Sequence, residues 1–473
     1  MKKINLTRLG NFSNSLTATV YHAQPRFTEE IVEIFDFARK NGLKIAPRGA
    51  GRSYNDAALR GGGIVLDLSL LRCVQAWDSE KGILRAQPGL TLESLWQFIL
   101  PDGWWPPVVS GTMKTTLGGC LGMNIHGKNN FKMGTIGENI LEFDAILPNG
   151  KEVTCSPKKN KELFYSMVSG MGMLGVFTSV TMQMKRVYSG LVHVKEWNVP
   201  NLESQLGALL RGAPKNDYIV GWLDGMARGA SLGRGQMHSA NYLAEGEDTD
   251  PDDTTRVAFQ TLPDKFFGVV PKSNLHYLMS LGLNNLGVWG VNTAKYILGH
   301  NKSYQQPHAA FHFLLDYVPN WEKSYGKYGL IQYQSFLPKE TALDAWTEML
   351  KLSQKRKLPT YLGVTKRHRP DNFLISHALD GFSLAFDFKI TKNNRTKLSK
   401  MVQEFDKLVL EAGGRFYFAK NSETSVETTR AFLGAETIAK FRQLKKRCDP
   451  ENLLYSDLYE RVFSKRAEMK LTH

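Results

Sequence analysis

The stretch Pro47-Arg48-Gly49-Ala50-Gly51-Arg52-Ser53-Tyr54-Asn55-Asp56 combines closely spaced glycines with arginines and a serine. Such glycines let the backbone turn sharply and aim successive N–H groups at one point, a nest for an anion such as a pyrophosphate. Arg48 or Arg52 can add positive charge, and Ser53 a hydroxyl donor. A second stretch runs from Ser110-Gly111-Thr112 through Leu117-Gly118-Gly119-Cys120-Leu121-Gly122-Met123-Asn124-Ile125-His126-Gly127-Lys128-Asn129. Its glycines allow close approach by another backbone or by a large flat ligand. Any tight turn uses glycine as the first stretch does, and a tightly packed sheet accounts equally for the second. Together they form a far more specific pattern than either alone. Neither is the dinucleotide fingerprint of a doubly wound sheet, because GAGRSY lacks the third glycine and no helix pattern starts directly after it.

The elements that must hold these stretches are legible around them. PRFTEEIVEIFDFARKNG predicts a helix with Thr28 as cap, Glu29 and Glu30 in the first turn and an apolar face of Ile31, Ile34, Phe35 and Ala38. Arg39 and Lys40 fill its last turn and Gly42 stops it. LKIAP, GGGIVLDLS and GILRAQPG read as strands, TLESLWQFIL as a helix capped by Thr91, and FDAILPNGKEVTC as a hairpin turning at Asn149-Gly150. No regular βαβ repeat emerges, so the fold class is α+β. From residue 190 onward, β-like runs dominate (GLVHVKEWNV, NDYIVGWLDG, GLIQYQSFLP, FSLAFDFKI), with helices such as KETALDAWTEMLKLSQKR. An acidic insert, EGEDTDPDD, reads as a solvated loop. Residues 265–315 contain no Asp or Glu but carry Lys265, Lys272, Lys295 and Lys302 among Phe266, Phe267, Leu278, Leu281 and Trp289. That mixture suits a surface against anionic lipid headgroups, and equally an internal lid that merely lacks acids.

Composition narrows the classes further. With 473 residues, 42% apolar and 22% charged, the chain is an ordinary globular protein large enough for more than one domain. Its apolar runs break well before the roughly 18 residues of a membrane span. The N-terminus, MKKINLTRLGNFSNSLTATV, lacks the continuous apolar core of a signal peptide, so cytoplasmic residence is expected. Cys73, Cys120, Cys155 and Cys448 show neither CxxC nor metal spacing, and the histidines form no HExxH. Buried free thiols and no metal are the expectation. A net charge of +15 favours an anionic partner or surface. With no RNP motif, zinc finger or basic helix, nucleic acid is not the expected partner.

Taken in order along the chain, PRGAGRSYNDAAL, GGGIVLDLSLL, VVSGTMKTTLGGCLGMNIHGKNN, GLIQYQSFLP, GGRFYFAKNSETSVET and CDPENLLYSDL carry a family likeness. They resemble the vanillyl-alcohol oxidase (p-cresol methylhydroxylase, PCMH, type) superfamily of FAD-binding oxidoreductases. Within it they are most similar to the decaprenylphosphoryl-β-D-ribose 2-oxidase subgroup, to which the NIHGKN and AKNSETSVE runs look specific. The resemblance spans nearly the whole chain. It implies an FAD-binding domain in two parts, residues 1–190 completed by 413–473, and a β-rich substrate (cap) domain with helices over 191–412. It implies flavin contacts at Pro47, Arg48, Gly49, Ala50, Gly51, Arg52, Ser53 and Tyr54, and at Gly111, Thr116, Leu117, Gly118, Gly119, Met123, Asn124, Ile125 and His126. Val176, Phe177 and Tyr417 are implied at the ring system. Many members tether FAD through a histidine in a GxGHS pattern; Arg52 stands there in this chain, which implies non-covalent FAD.

The chemistry so implied is hydride transfer from a carbinol carbon to flavin N5, with the protein accepting the hydroxyl proton and stabilising charge. Lys420, in FYFAKNS, matches the active-site lysine and is assigned that charge stabilisation. Gln334, in IQYQ, is implied as a hydrogen-bond donor to sugar or flavin, and His126 and Tyr54 as polar groups on the pocket side. Lys128 and Lys366 match substrate-facing positions and can meet a phosphate. Ala385, Ser383 and His312 depart from the subgroup, which has cysteine, asparagine and tyrosine there; these pocket changes bear on substrate identity more than on reaction type. The expected function is oxidation of a secondary sugar hydroxyl, first C2 of a polyprenyl-phosphoryl pentose, with a free sugar, alditol or aldonolactone as the alternative. A short-chain reductase partner and peripheral contact with the anionic inner membrane face accompany the first reading.

Overall fold

The helix read over PRFTEEIVEIFDFARKNG forms as Glu29–Lys40 and buries Ile31, Ile34, Phe35 and Ala38. Thr28 makes no side-chain cap bond; the Glu30 carboxylate accepts from the Arg26 N–H at 2.5 Å instead. Gly42 ends the helix in the left-handed region, at φ 64°. The computed structural model describes residues 4–262, 265–266, 270–299 and 301–464. The helix packs on a four-stranded sheet in the order Asn5–Gly10, Thr17–Ala23, Ile64–Asp67, Ile45–Arg48. Ile64–Asp67 runs parallel to both its neighbours. Ile45–Arg48 leads straight into the first glycine stretch, so that loop starts from the end of a strand whose first residues are buried.

A five-stranded antiparallel sheet follows, in the order Val74–Asp78, Ile83–Ala86, Val176–Gln183, Ile140–Ile146, Glu152–Cys155. The hairpin read at Asn149-Gly150 joins its last two strands, with Gly150 at φ 82°. The helix Leu92–Ile99 is capped as expected, Thr91 accepting from the Ser94 N–H at 3.1 Å. It shares an apolar core with Leu117–Gly122, the short helix inside the second glycine stretch.

The largest sheet has eight antiparallel strands in the order Lys302–Pro307, Leu191–Val199, Gly235–Tyr242, Tyr218–Leu223, Leu362–His368, Gly381–Lys389, Leu330–Pro338, Arg415–Phe416. Side chains alternate between the faces of a strand, and here both sets are used. Ile331, Tyr333, Leu337, Phe382, Leu384 and Phe386 pack with the helices Leu202–Gly212, Ala342–Lys355 and Arg395–Glu411. Gln332, Gln334 and Ala385, on the other face, line a cavity. Beyond this sheet the chain returns to the first one. The Ile45 N–H donates to the Leu453 carbonyl at 2.9 Å, and the Tyr455 N–H to the Ile45 carbonyl at 2.7 Å. Lys445, buried, donates to the Met173 and Leu454 carbonyls at 2.8 and 2.6 Å and pairs with Asp449 at 2.5 Å. A buried ion pair is tolerable only when its remaining donors are satisfied in this way.

Several expectations are corrected. The acidic insert is exposed as read but not free: Asp248 accepts from the hydroxyls of Ser189 and Thr254, and Asp250 caps the turn Pro251–Thr254. Cys73 is exposed, while the other cysteines are buried. Lys272 is also buried, its ammonium over the Tyr317 ring at 4.5 Å, so it faces no lipid. Lys265, Phe266 and Phe267 lie outside the residues whose side chains are described. Among the described residues, no helix is long and apolar enough to cross a membrane, and no cluster has the makings of a metal site.

Candidate active site

The two glycine stretches and the large sheet meet around one cavity of about 1850 Å³, counting the space at its open mouth. Pro47, Arg48, Gly49, Ala50, Gly51, Arg52, Ser53 and Tyr54 line it, as do Gly111, Thr116, Gly118, Gly119, Met123, Ile125 and His126. Val176, Phe177 and Tyr417 join this wall. The sheet contributes Gln332, Gln334, Val364, Lys366 and Ala385, and Lys128, His312 and Lys420 complete the lining. Three expected positions stand elsewhere. Leu117 is packed into the core behind the loop. Asn124 spends its amide inside the protein, donating to Asp371 at 3.2 Å and accepting from the Gly137 N–H at 3.0 Å. Ser383, buried, bonds His368 Nε2 at 2.8 Å instead of reaching the cavity.

The glycines are required by contact. A Cβ on Gly49 would lie 2.1 Å from Thr116 Oγ1, so the two stretches touch there. Gly51 has φ 65°, and a Cβ on it would meet the Arg48 guanidinium at 2.1 Å. Arg48 braces this loop by donating to the Gly10 and Ala58 carbonyls at 3.2 and 3.3 Å. The Arg52 guanidinium lies 5.0 Å from the Phe12 ring centroid, and its buried Nε donor has no protein partner. The Tyr54 N–H donates to the Ala419 carbonyl at 2.9 Å, and the Asn55 amide to the Phe418 carbonyl. These bonds fasten the loop to the segment that carries Lys420.

Positive charge gathers on the other side of this junction. Lys420 Nζ sits 3.9 Å from the Tyr54 ring centroid. Enclosure by protein pulls its pKa well below that of an ordinary lysine, and Asp387 opposes the shift. Asp387 is itself buried, which pushes its carboxyl up, and it accepts from Gln332 Nε2 at 2.6 Å. Asn421 holds the backbone of Gln334 from both sides, accepting from its N–H at 2.8 Å and donating to its carbonyl at 3.1 Å. Lys366 is pulled down to about 8 and Lys128 to about 7, and no carboxylate helps keep either charged. Protein atoms surround both, yet both remain partly accessible from the cavity. The Lys128 ammonium also donates to the Phe311 carbonyl.

His126 has one defined tautomer in this arrangement. Gln334 Nε2 approaches His126 Nε2 at 3.1 Å, and an amide nitrogen can only donate. The imidazole proton is therefore on Nδ1, which is buried without a protein partner. Burial, reinforced by Lys366, pushes the ring pKa well below 6.5, so His126 is neutral. His312 is likewise held neutral by burial, with Nε2 unpartnered and the ring stacked on Trp105 at 5.4 Å.

A wall of backbone without Cβ atoms, an unpartnered arginine donor and enclosed cations together fit a large anionic dinucleotide with a flat ring. Residues 21–156, which include both glycine stretches, match the family model described as an FAD binding domain. The chain is also 28% identical over 433 residues to the decaprenylphosphoryl-beta-D-ribose oxidase of Mycolicibacterium smegmatis, covering 90% of each chain. The chain carries an FAD-binding domain and is an FAD-dependent oxidoreductase. An uncharacterized protein of Streptomyces coelicolor is 24% identical over 79% of this chain and 100% of its own. Cytokinin dehydrogenase 7 of Oryza sativa is 30% identical over 171 residues, 34% of this chain and 31% of its own. FAD is thus the cofactor of this enzyme.

Sequence reading of this flavoenzyme missed Gln332, Asp387 and Asn421. The first two stand two residues from Gln334 and Ala385, on the same face of their strands, and Asn421 follows Lys420 directly. Strand periodicity was the signal available for Gln332 and Asp387.

Proposed function

We propose that this enzyme oxidises a secondary hydroxyl of a sugar, C2 of a polyprenyl-phosphoryl pentose. On this reading residues 1–190 and 413–473 hold the cofactor, without a covalent bond, and 191–412 hold the substrate. The observation that carries it is the pair Lys128 and Lys366, enclosed beside the flavin wall with no carboxylate among the described residues to neutralise them. Uncompensated enclosed cations are costly, and a substrate phosphate supplies the missing anion. The Mycolicibacterium relative, named for a lipid-linked phosphorylated ribose, supports the same substrate class.

Bound FAD supplies a hydride acceptor for the carbinol carbon. Lys420 in its neutral form takes the hydroxyl proton at Nζ, since enclosure keeps that form accessible near neutral pH. The ammonium so formed rests over the Tyr54 ring, a fixed positive charge where negative charge develops. Gln334 holds the His126 ring in place at the cavity wall. Val364, Ala385 and Gln334 lie side by side across adjacent strands and form the floor under the sugar. A lipid-linked substrate places the enzyme at the cytoplasmic membrane face, and a short-chain reductase acting on the ketone would complete an epimerisation.

The test is anaerobic bleaching of the bound flavin. Polyprenyl-phosphoryl ribose should bleach it, while ribose, alditols and aldonolactones should not. Bleaching by the free compounds alone would establish the alternative instead.

A further inference from the structure

Exposed large apolar side chains concentrate on the helices Leu275–Gly282 and Asn285–Leu298. Leu281 is 77% exposed and Leu286 75%, and Tyr277, Trp289, Ile297 and Leu298 are all more than half uncovered. Scattered apolar residues are normal on a surface, but a contiguous set like this one implies something that covers it. The second helix touches the body through Val288 and Asn292, its buried residues, with the Asn292 amide donating to Asp224 at 2.9 Å. Thr293, Lys295 and Tyr296 also meet the body, at Arg234, Trp222 and Asn198, while Leu286, Trp289, Ile297 and Leu298 point outward.

Within the segment that carries these helices the charge has one sign. Residues 265–315 contain no Asp or Glu. A groove beside the second helix is lined by Arg228, Arg234 and Lys357 together with Leu286 and Trp289; Arg234 is paired with the buried Asp224 at 3.0 Å, whereas Arg228 and Lys357 are exposed. Lys302 is exposed nearby in sequence, whereas the Lys295 ammonium lies over the buried Trp222 ring at 4.2 Å. Apolar side chains rimmed by cations match the acyl and headgroup layers of an anionic bilayer. A second copy of this chain would bring the same cations into opposition.

The connector between the helices reaches the cavity wall. Leu283 packs into the cluster of Tyr54, Leu315, Trp321, Tyr325 and Leu330, and Lys389 donates to its carbonyl at 2.8 Å. Tyr54 and Leu315 also line the cavity, as does Leu314, which is 52% exposed.

We propose that the two helices form a hairpin that inserts into the surface of an anionic membrane and docks the enzyme with its cavity open to the lipid. Docking stands on this surface alone. The further step, direct passage of a lipid-linked substrate from bilayer to cavity, rests on the substrate reading above.

The experiment is sedimentation of the FAD-loaded full chain with vesicles of phosphatidylcholine alone or mixed with phosphatidylglycerol. The parent chain should pellet with the mixed vesicles and far less with the neutral ones. The triple variant Leu281→Ser, Leu286→Ser, Trp289→Ser should lose about tenfold or more of that partition, as removal of several inserted side chains requires. Its flavin spectrum and its reduction by a short-chain, water-soluble phosphoryl-pentose should not change. Arg228→Gln with Lys302→Gln should weaken binding to mixed vesicles only. A triple variant that binds like the parent, or a parent that ignores both vesicle types, overturns the proposal. Equal binding to both vesicles overturns the anionic assignment, and a parent dimer that the triple variant dissociates would assign the face to a second copy. Normal docking with no flavin bleaching by any phosphoryl-pentose would instead overturn the substrate reading and leave the hairpin standing.

Discussion

Along residues 47–54 and 110–126 the cavity wall is made by withdrawing side chains, and along the large sheet it is made by projecting them. The first wall offers backbone and empty space: where Gly49 meets Thr116, even one methyl group does not fit. The second offers charge at single positions, with Lys366 and Ala385 presented by adjacent strands and Lys420 set over Tyr54. A wall of backbone suits a constant ligand, since every change to it is steric. A wall of isolated side chains suits a ligand that varies between relatives, because one substitution alters recognition without disturbing the fold. The departures at Ala385 and His312 both fall outside the glycine wall.

This contrast can be broken in order of expected effect. Lys420→Ala should retain FAD but slow flavin reduction by about a hundredfold or more, the scale of losing a preorganised charge; stopped-flow bleaching that stays near normal would remove Lys420 from the chemistry. The pH profile sharpens the same point. Enclosure lowers the Lys420 pKa, and the neutral amine is the active form, so reduction should fall as pH drops through that lowered pKa. Lys366 and Lys128 act in the opposite sense. They must be charged to hold phosphate, and with values near 8 and 7 in the free protein, KM for a phosphorylated substrate should rise with pH above that range.

Lys366→Ala should raise KM about tenfold or more, the worth of a hydrogen bond to a charged group, with a smaller change in kcat. A pure kcat effect would mean that Lys366 does not meet the phosphate. On the other wall, Gly49→Ala should weaken FAD binding about tenfold through overpacking, with the enzyme's preference among sugars unchanged. Flavin titration of the apoprotein measures it, and an altered sugar preference would blur the division between the walls. Acid precipitation of the parent should release yellow FAD into the supernatant, because Arg52 offers no imidazole for a tether; colour retained in the pellet would show otherwise. The smallest effect is expected from thiol reagents. Cys73 is exposed and should react, whereas Cys120, on the cavity wall, has its thiol pushed up to about 12 by burial. Labelling should leave flavin reduction intact, and a loss of activity that substrate prevents would place a reactive thiol in the pocket.

What the sequence determined by itself was local. Glycine spacing, the Thr91 cap, the turn at Asn149-Gly150 and the apolar face of Glu29–Lys40 each depend on residues a few positions apart, so each could be read along the chain. The glycine wall of the cavity was legible for the same reason, since its residues come in two runs. Only the tertiary structure decided the rest. Gln334 selects the His126 tautomer, Asp387 sits where it modulates Lys420, and Asn421 fastens Lys420's segment to Gln334. It also buried Lys272, which composition left open between a lipid-facing surface and an internal lid, and turned Asn124 and Ser383 away from the cavity. These partners stand on segments far apart in sequence, brought side by side by strand register and core packing. Free energies that depend on such encounters leave no periodic trace in the chain that encodes them.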